Sequence, residues 1–454
     1  MLALKLRQEF ETGSPKAIVE LAEAIQTPAV DFLAVTYPTT DLLRMLKAVG
    51  RPDSRPTVLL GERGQGKSHL LATLHHALTN PAAVQAWLAA WAPRLANPAV
   101  AAIPTRPAMF VISEAMQQQE YNVLWDLLFD RHPRGTHIRG KWEGIGAKQG
   151  SVPPKSLLVE LVTHTPTTLI LDEFQVWYDG KIDSDTSKAR TWNFNFVQLL
   201  SEVANEHPDK LVLAVSVRRT DTDAYEQLHR HNPERIDFKG ETAKADRQKL
   251  LLHRLFENRA NISDDDVGNF VQVAVAEKLR IRHLSVADAD KVLADYVGTW
   301  PFSPDFLTVL EDQVLVSTSA QETRDMIGVL AMTFRAHGHL QAILTPADLR
   351  IDDAEAGAVK LLDSVNNPMQ QRLREKALRN LEAAKETIPD WQTTVPFLPE
   401  VLTALWVRSL AVGNQVGATQ QDLQLDLTRG KAFDDGPFSA GSSAEEQCVY
   451  FQAA

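Results

Sequence analysis

Short unbroken apolar runs alternate along this chain with longer stretches in which apolar residues recur every three or four positions. A run of four to eight apolar or β-branched residues between turn formers suits a buried strand, and the three-to-four spacing suits a helix with one face in a core. Four runs read as strands: TVLL at 57–60, AMFVIS at 108–113, TTLIL at 167–171 and KLVLAVSV at 210–217, joined by a shorter RIDF at 235–238. Between them the spacing turns helical. HLLATLHHAL at 69–78 follows the first run, an Ala-rich stretch carries Trp87 and Trp91 four residues apart as packing residues, and 192–203 keeps its apolar residues on one side. Strand and helix in this alternation predict a doubly wound parallel sheet with helices on both faces.

Outside that block the pattern is helical. Ala17, Ile18, Leu21, Ala22 and Ile25 repeat at helical spacing until Pro28, and 41–49 is amphipathic with Thr40 or Asp41 as its cap. Downstream, 242–259 is strongly amphipathic, and 285–335 holds two or three helices around the elbow WPFSP at 300–304. The stretch 398–410 followed by GATQQDL at 417–423 fits the helix-turn-helix part of a winged-helix module or a plain helical hairpin equally well. Two segments read as connections. RHPRGTHIRGKWEGIGAKQGSVPPK at 131–155 is basic and rich in Gly and Pro, and is taken as a solvated connector ahead of a nucleic-acid or polypeptide contact; 184–191 is polar and mobile in expectation.

Composition narrows the class. A chain of 454 residues exceeds one ordinary core, and 44% hydrophobic with 23% charged residues is the balance of a soluble globular protein. The single cysteine, Cys448, excludes an internal disulfide framework and points to a reducing compartment. No stretch has the length of a membrane span, and MLALKLRQEFETGSP lacks a signal-type apolar core, so a cytoplasmic protein without a membrane role is expected. A formal net charge of −11 argues against coating nucleic acid with the whole surface, while leaving room for a local basic channel.

The candidate chemistry lies at the ends of the strands. GERGQGKS at 61–68 fits G-x-x-x-x-G-K-[ST] at every fixed position, between a strand and a helix as phosphate binding requires. Gly61, Gly64 and Gly66 let the backbone turn its N–H groups toward phosphate oxygens, and the helix starting near Lys67 adds its positive end. The expected nucleotide contacts are Gly61, Glu62, Arg63, Gly64, Gln65, Gly66, Lys67 and Ser68 with the adjoining His69. Lys67 reaches the β and γ phosphates, and the Ser68 hydroxyl holds a magnesium ion. The 167–171 run ends in Asp172-Glu173, placing two acids at the carboxyl end of a central strand, where open α/β sheets bind ligands. Asp172 would hold magnesium through water and Glu173 would deprotonate the attacking water. Ser216, near the end of the 210–217 strand, is either a sensor of the terminal phosphate or a hydrogen-bonded strand terminus. Arg324 opens the helical stretch QETRDMIGVL, and a helical lid over the nucleotide would bring it to the phosphates.

These readings give four segments: a helical lead-in at 1–55, a phosphate-loop ATPase core at 56–240, a helical lid at 241–350, and a helical or winged-helix-like region at 351–454 that reads as continuing in a longer protein. ATP and a magnesium ion are the expected cofactors. A slow nucleotide-dependent switch or loader is the first rival. A small-molecule kinase is the second, and it should carry a compact arginine-rich lid soon after the core.

Taken together, FLAVTYPTTDLLRML, GERGQGKSHLLATLHHAL, LILDEFQVWYDG, WPFSPDFLTVLEDQ, QETRDMIGVLA and GATQQDLQLDL resemble the large phosphate-loop ATPases of bacterial defence islands, the PglY/BrxC-like group of phage-exclusion (BREX) systems. The resemblance runs over most of the chain in order, although members of that group are usually far longer. It implies an AAA+ type core followed by a lid, Arg324 as a lid sensor, and Arg230 or Arg235 as an arginine finger given to a neighbouring subunit. It further implies a homo-oligomer acting on DNA or with other defence-system proteins.

Overall fold

An apolar run without alternation must be covered on both faces, and the central strands here are. In the computed structural model β1 (Thr57–Leu60), β3 (Thr167–Asp172) and β4 (Leu211–Val217) are buried at every position. With β2 (Phe110–Ala115) and β5 (Glu234–Ile236) they form one parallel sheet in the order β2-β3-β4-β1-β5. The register sets Leu60 beside Val217 and Leu171 beside Val215, so the carboxyl ends of β1, β3 and β4 lie together. The structure describes residues 3–11, 20–61, 64–144, 152–183, 188–238, 243–315, 322–365, 368–411, 417–436 and 438. The chain divides into two compact units, 18–246 and 1–17 with 247–454.

In the first unit, helices cover the sheet with aromatic residues. Trp125, Phe129, Trp142, Phe174 and Phe196 belong to a core that includes Val58, Leu169 and Leu213 of the strands. Trp87 and Trp91 are buried as expected, Trp91 edge-on to Tyr37 at 5.3 Å between ring centroids. Three local expectations change. The helix ahead of β1 is Thr40–Gly50 and its cap is Thr39, whose hydroxyl accepts from the Leu42 amide. β2 starts at Phe110 because the Met109 amide is bound to Leu78 O at 2.8 Å and so faces the end of a helix. The basic connector contains a helix, Gly135–Gly144, fixed by buried Ile138 and Trp142 four residues apart. Its charges are matched by acids, Arg139 with Asp130 at 2.7 Å and Lys141 with Glu160 at 2.5 Å. Of the polar segment 184–191, residues 184–187 lie outside the described residues, and the following helix is Ala189–Glu206.

The second unit is helical. Leu6 and Phe10 share a core with Phe256, Phe302, Phe306, Leu330 and Trp406, so the first residues of the chain fold with its later half. Asp264–Ile281, capped by Ser263, packs on Ala289–Thr299 through Val267, Val271, Val292 and Tyr296. Leu398–Ser409 and Gln420–Thr428 are clamped by Arg408, which donates to both oxygens of Asp426 at 2.9 Å in a buried pair. No strand follows them among the described residues, so the winged-helix alternative has its two helices without a wing. No helix among the described residues is long and apolar enough to cross a membrane.

Candidate functional site

The loop after β1 is tethered to the neighbouring strand at its first residue, where the Gly61 amide donates to Val217 O at 3.1 Å. Gly64 and Gly66 then take positive φ of 79° and 88°. A Cβ on Gly66 would meet nothing within 4 Å, so glycine is needed there for the backbone conformation, not for space. Gly66 is also the N-cap of the helix Lys67–Thr79 and offers no side-chain cap, which leaves the first amides of that helix to an anion. Lys67 is buried, with Nζ donating to Gly61 O at 2.7 Å, so its side chain lies back across the loop. Gln65 folds over Gly61 as well, its Oε1 standing 2.1 Å from where a Cβ there would be. Glu62 and Arg63 lie outside the described residues. His69 has its ring 4.8 Å from Phe32 and Nε2 3.0 Å from Thr36 Oγ1. Because that hydroxyl already donates to Phe32 O, the histidine N–H is the donor, and the side chain is engaged with the 29–36 segment.

The acid pair sits beside the loop. Asp172 is buried at the end of β3 and binds through both oxygens: Ser68 donates to Oδ2 at 2.5 Å, and Ser216 donates to Oδ1 at 2.5 Å. The Glu173 amide donates to Asp172 Oδ1 at 2.9 Å and to Ser216 Oγ at 2.8 Å. Glu173 itself has φ 52° and ψ 32°, left-handed values uncommon for a glutamate. That bend ends β3 and parts the two carboxylates, sending Asp172 to the serines and Glu173 to Arg218. The Ser216 hydroxyl thus bridges the Asp172 carboxylate and the Glu173 amide.

Ser68 and Asp172 form a pair of hard oxygen donors at the end of the glycine loop, the donor type with which proteins hold magnesium together with substrate phosphates. The residues present therefore fit the expected ion. Two residues of this site are new to the sequence reading. Arg218, the first residue after β4, donates to Glu173 Oε2 through Nε at 3.1 Å and Nη2 at 2.8 Å. Gln175, also buried, accepts the amides of Arg218 and Arg219 on Oε1 at 2.8 and 3.0 Å. Residue spacing does not mark them, because these contacts depend on β3 and β4 lying side by side in the sheet.

Arg230 pairs with Glu226 at 2.9 Å and Arg235 with Asp237 at 3.6 Å, and all four side chains are at least one-third exposed. Arg324 is within the helix Glu322–His337, and its side chain is outside what the structure describes.

A parallel sheet with a phosphate-loop sequence between an inner strand and the following helix is the α/β fold of phosphate-loop NTPases. Among solved structures the chain is similar to Cdc6p from Pyrobaculum aerophilum, with 14% identity and a TM-score of 0.32 over 98% of this chain and 100% of that one. No protein-family model and no curated protein matches it.

Proposed function

We propose that this chain is a magnesium-dependent ATPase whose turnover drives assembly or remodelling of a nucleic-acid-associated complex. One observation carries the reading: Ser68 of the loop and Ser216 of β4 grip opposite oxygens of Asp172, with Glu173 the next residue. In this reading the loop amides and Lys67 bind the phosphates, while Ser68 and Asp172 hold the ion. Bound magnesium would screen the charge of the phosphates during transfer. Glu173 takes the proton of the attacking water, and Ser216 keeps the acids in register. Support for a defence-system setting is the ordered run of motifs resembling the BREX group, which also carries the suggestion of a homo-oligomer working with DNA and other defence proteins.

A second reading, a slow nucleotide switch, is favoured by the ion pair that occupies Glu173. Hydrolysis by the parent and by Glu173→Gln tests both. The variant keeps the shape and loses the base, so it should bind ATP with magnesium at least as well as the parent and fail to turn it over. Parental turnover by the variant removes Glu173 as base, and negligible turnover by a parent that binds ATP tightly supports the switch.

A further inference from the structure

Arg218 holds the carboxylate that the proposed mechanism needs as a base. Both of its donors converge on Glu173 Oε2, and a carboxylate oxygen occupied by two guanidinium N–H groups is not free to accept from a water. The pair has to open before water can be activated. Its surroundings favour movement of one side chain alone. Gln175 fixes the backbone amides of Arg218 and Arg219, and the preceding residue, Val217, accepts from the first amide of the phosphate loop. The backbone at this point is thus tied to β1 and to the helix Phe174–Asp179, whereas the Arg218 side chain is one-quarter exposed. A long, partly exposed guanidinium anchored one residue from the loop tether can reach a group bound in that loop. The anion best able to draw it from a carboxylate is a phosphate, which offers several oxygens and more charge.

We propose that Arg218 is a positioning residue that exchanges partners, from Glu173 in the nucleotide-free protein to the terminal phosphate of a bound nucleoside triphosphate, so that the base is released only when that phosphate is present. This deepens the ATPase reading and rests on it. A diphosphate lacks the group that draws Arg218 away, and it should leave the pair closed.

The test is calorimetric titration of the full chain with ADP and with a non-hydrolysable ATP analogue, each with magnesium. Arg218→Ala should bind ADP within about twofold of the parent and lose about tenfold or more in affinity for the analogue, the size of one charge-assisted contact. Arg218→Lys, which keeps the charge without the fork, should recover part of that loss. Glu173→Gln should move the other way. With no carboxylate competing for the guanidinium, affinity for the analogue should rise severalfold while ADP is unchanged. An Arg218→Ala protein with the parent's ratio of analogue to ADP affinity overturns the exchange and leaves the ATPase reading standing, as does equal loss of both ligands. A parent that binds neither nucleotide overturns both.

Discussion

At the residue scale the site depends on how one buried carboxylate is shared. Asp172 has Ser68 on one oxygen and Ser216 with the Glu173 amide on the other. Removing the Ser216 hydroxyl takes a donor from Asp172 and one of two acceptors from the Glu173 amide, and hydrogen bonds to a charged group contribute about 1.5–3 kcal/mol each. Ser216→Ala should therefore cut turnover by about tenfold or more and raise the magnesium concentration needed for half-maximal rate, with nucleotide affinity in the absence of magnesium little changed. A magnesium titration of the steady-state rate checks this, and an unaltered midpoint would reduce Ser216 to a strand terminus. Lys67 differs, because in the proposed reading its charge acts directly on the phosphates of the ligand. Lys67→Ala should abolish ATP binding in a calorimetric titration, and parental affinity would show that the loop is not the phosphate site.

At the scale of elements, the junction between the helix Leu124–Arg131 and β3 hangs on His132. Its Nε2 lies 3.0 Å from Thr167 Oγ1, and since that hydroxyl donates to Thr165 O, the histidine N–H is the donor. The Arg134 amide donates to Nδ1 at 3.1 Å, so both ring nitrogens are used by the neutral tautomer. Burial pushes the imidazole down to about 4, from an ordinary 6.5. A folded value below the unfolded one means that this stabilisation is whole above about pH 6.5 and is lost as pH falls toward 4, roughly 2–3 kcal/mol in all. The thermal midpoints of the parent and of His132→Gln, which cannot titrate, should converge as pH is lowered from 7 to 4.5; a constant gap would assign His132 to packing alone. Elements differ in how plainly the sequence announces them. β1, β3 and β4 were legible because burial on both faces leaves an unbroken apolar run. The helix Gly135–Gly144 was not, because two glycines bound it and only Ile138 and Trp142 mark its inner face. The glycine turn after β1 and the acids at the end of β3 are local motifs, so their places in the fold could be read directly. Arg218 meets Glu173 only because β3 and β4 are sheet neighbours, and strand order is not written in residue spacing.

At the scale of the whole molecule, two architectures differ in whether one chain completes its own site. An arginine donated across a subunit interface neutralises charge that develops in the transition state and contributes about a thousandfold or more to the rate. Arg230 and Arg235 suit such a role on chemical grounds. Their side chains are 52% and 42% exposed, and their ion pairs with Glu226 and Asp237 are of the solvated kind that costs little to exchange. Arg230→Ala or Arg235→Ala should then lower turnover and spare ATP affinity, and turnover per chain should rise with protein concentration. Arg324→Ala should weaken binding as well, because a lid arginine of the same chain would touch the bound ground state. Complementation separates the two architectures. A Lys67→Ala chain keeps its arginines and lacks a working loop, whereas an arginine variant keeps its loop and lacks the donated charge. Mixed, they should recover activity if the site is shared between subunits. Absence of recovery at every concentration, with turnover independent of concentration, would mean that each chain works alone, and the slow switch held by Arg218 and Glu173 would become the better account of the molecule.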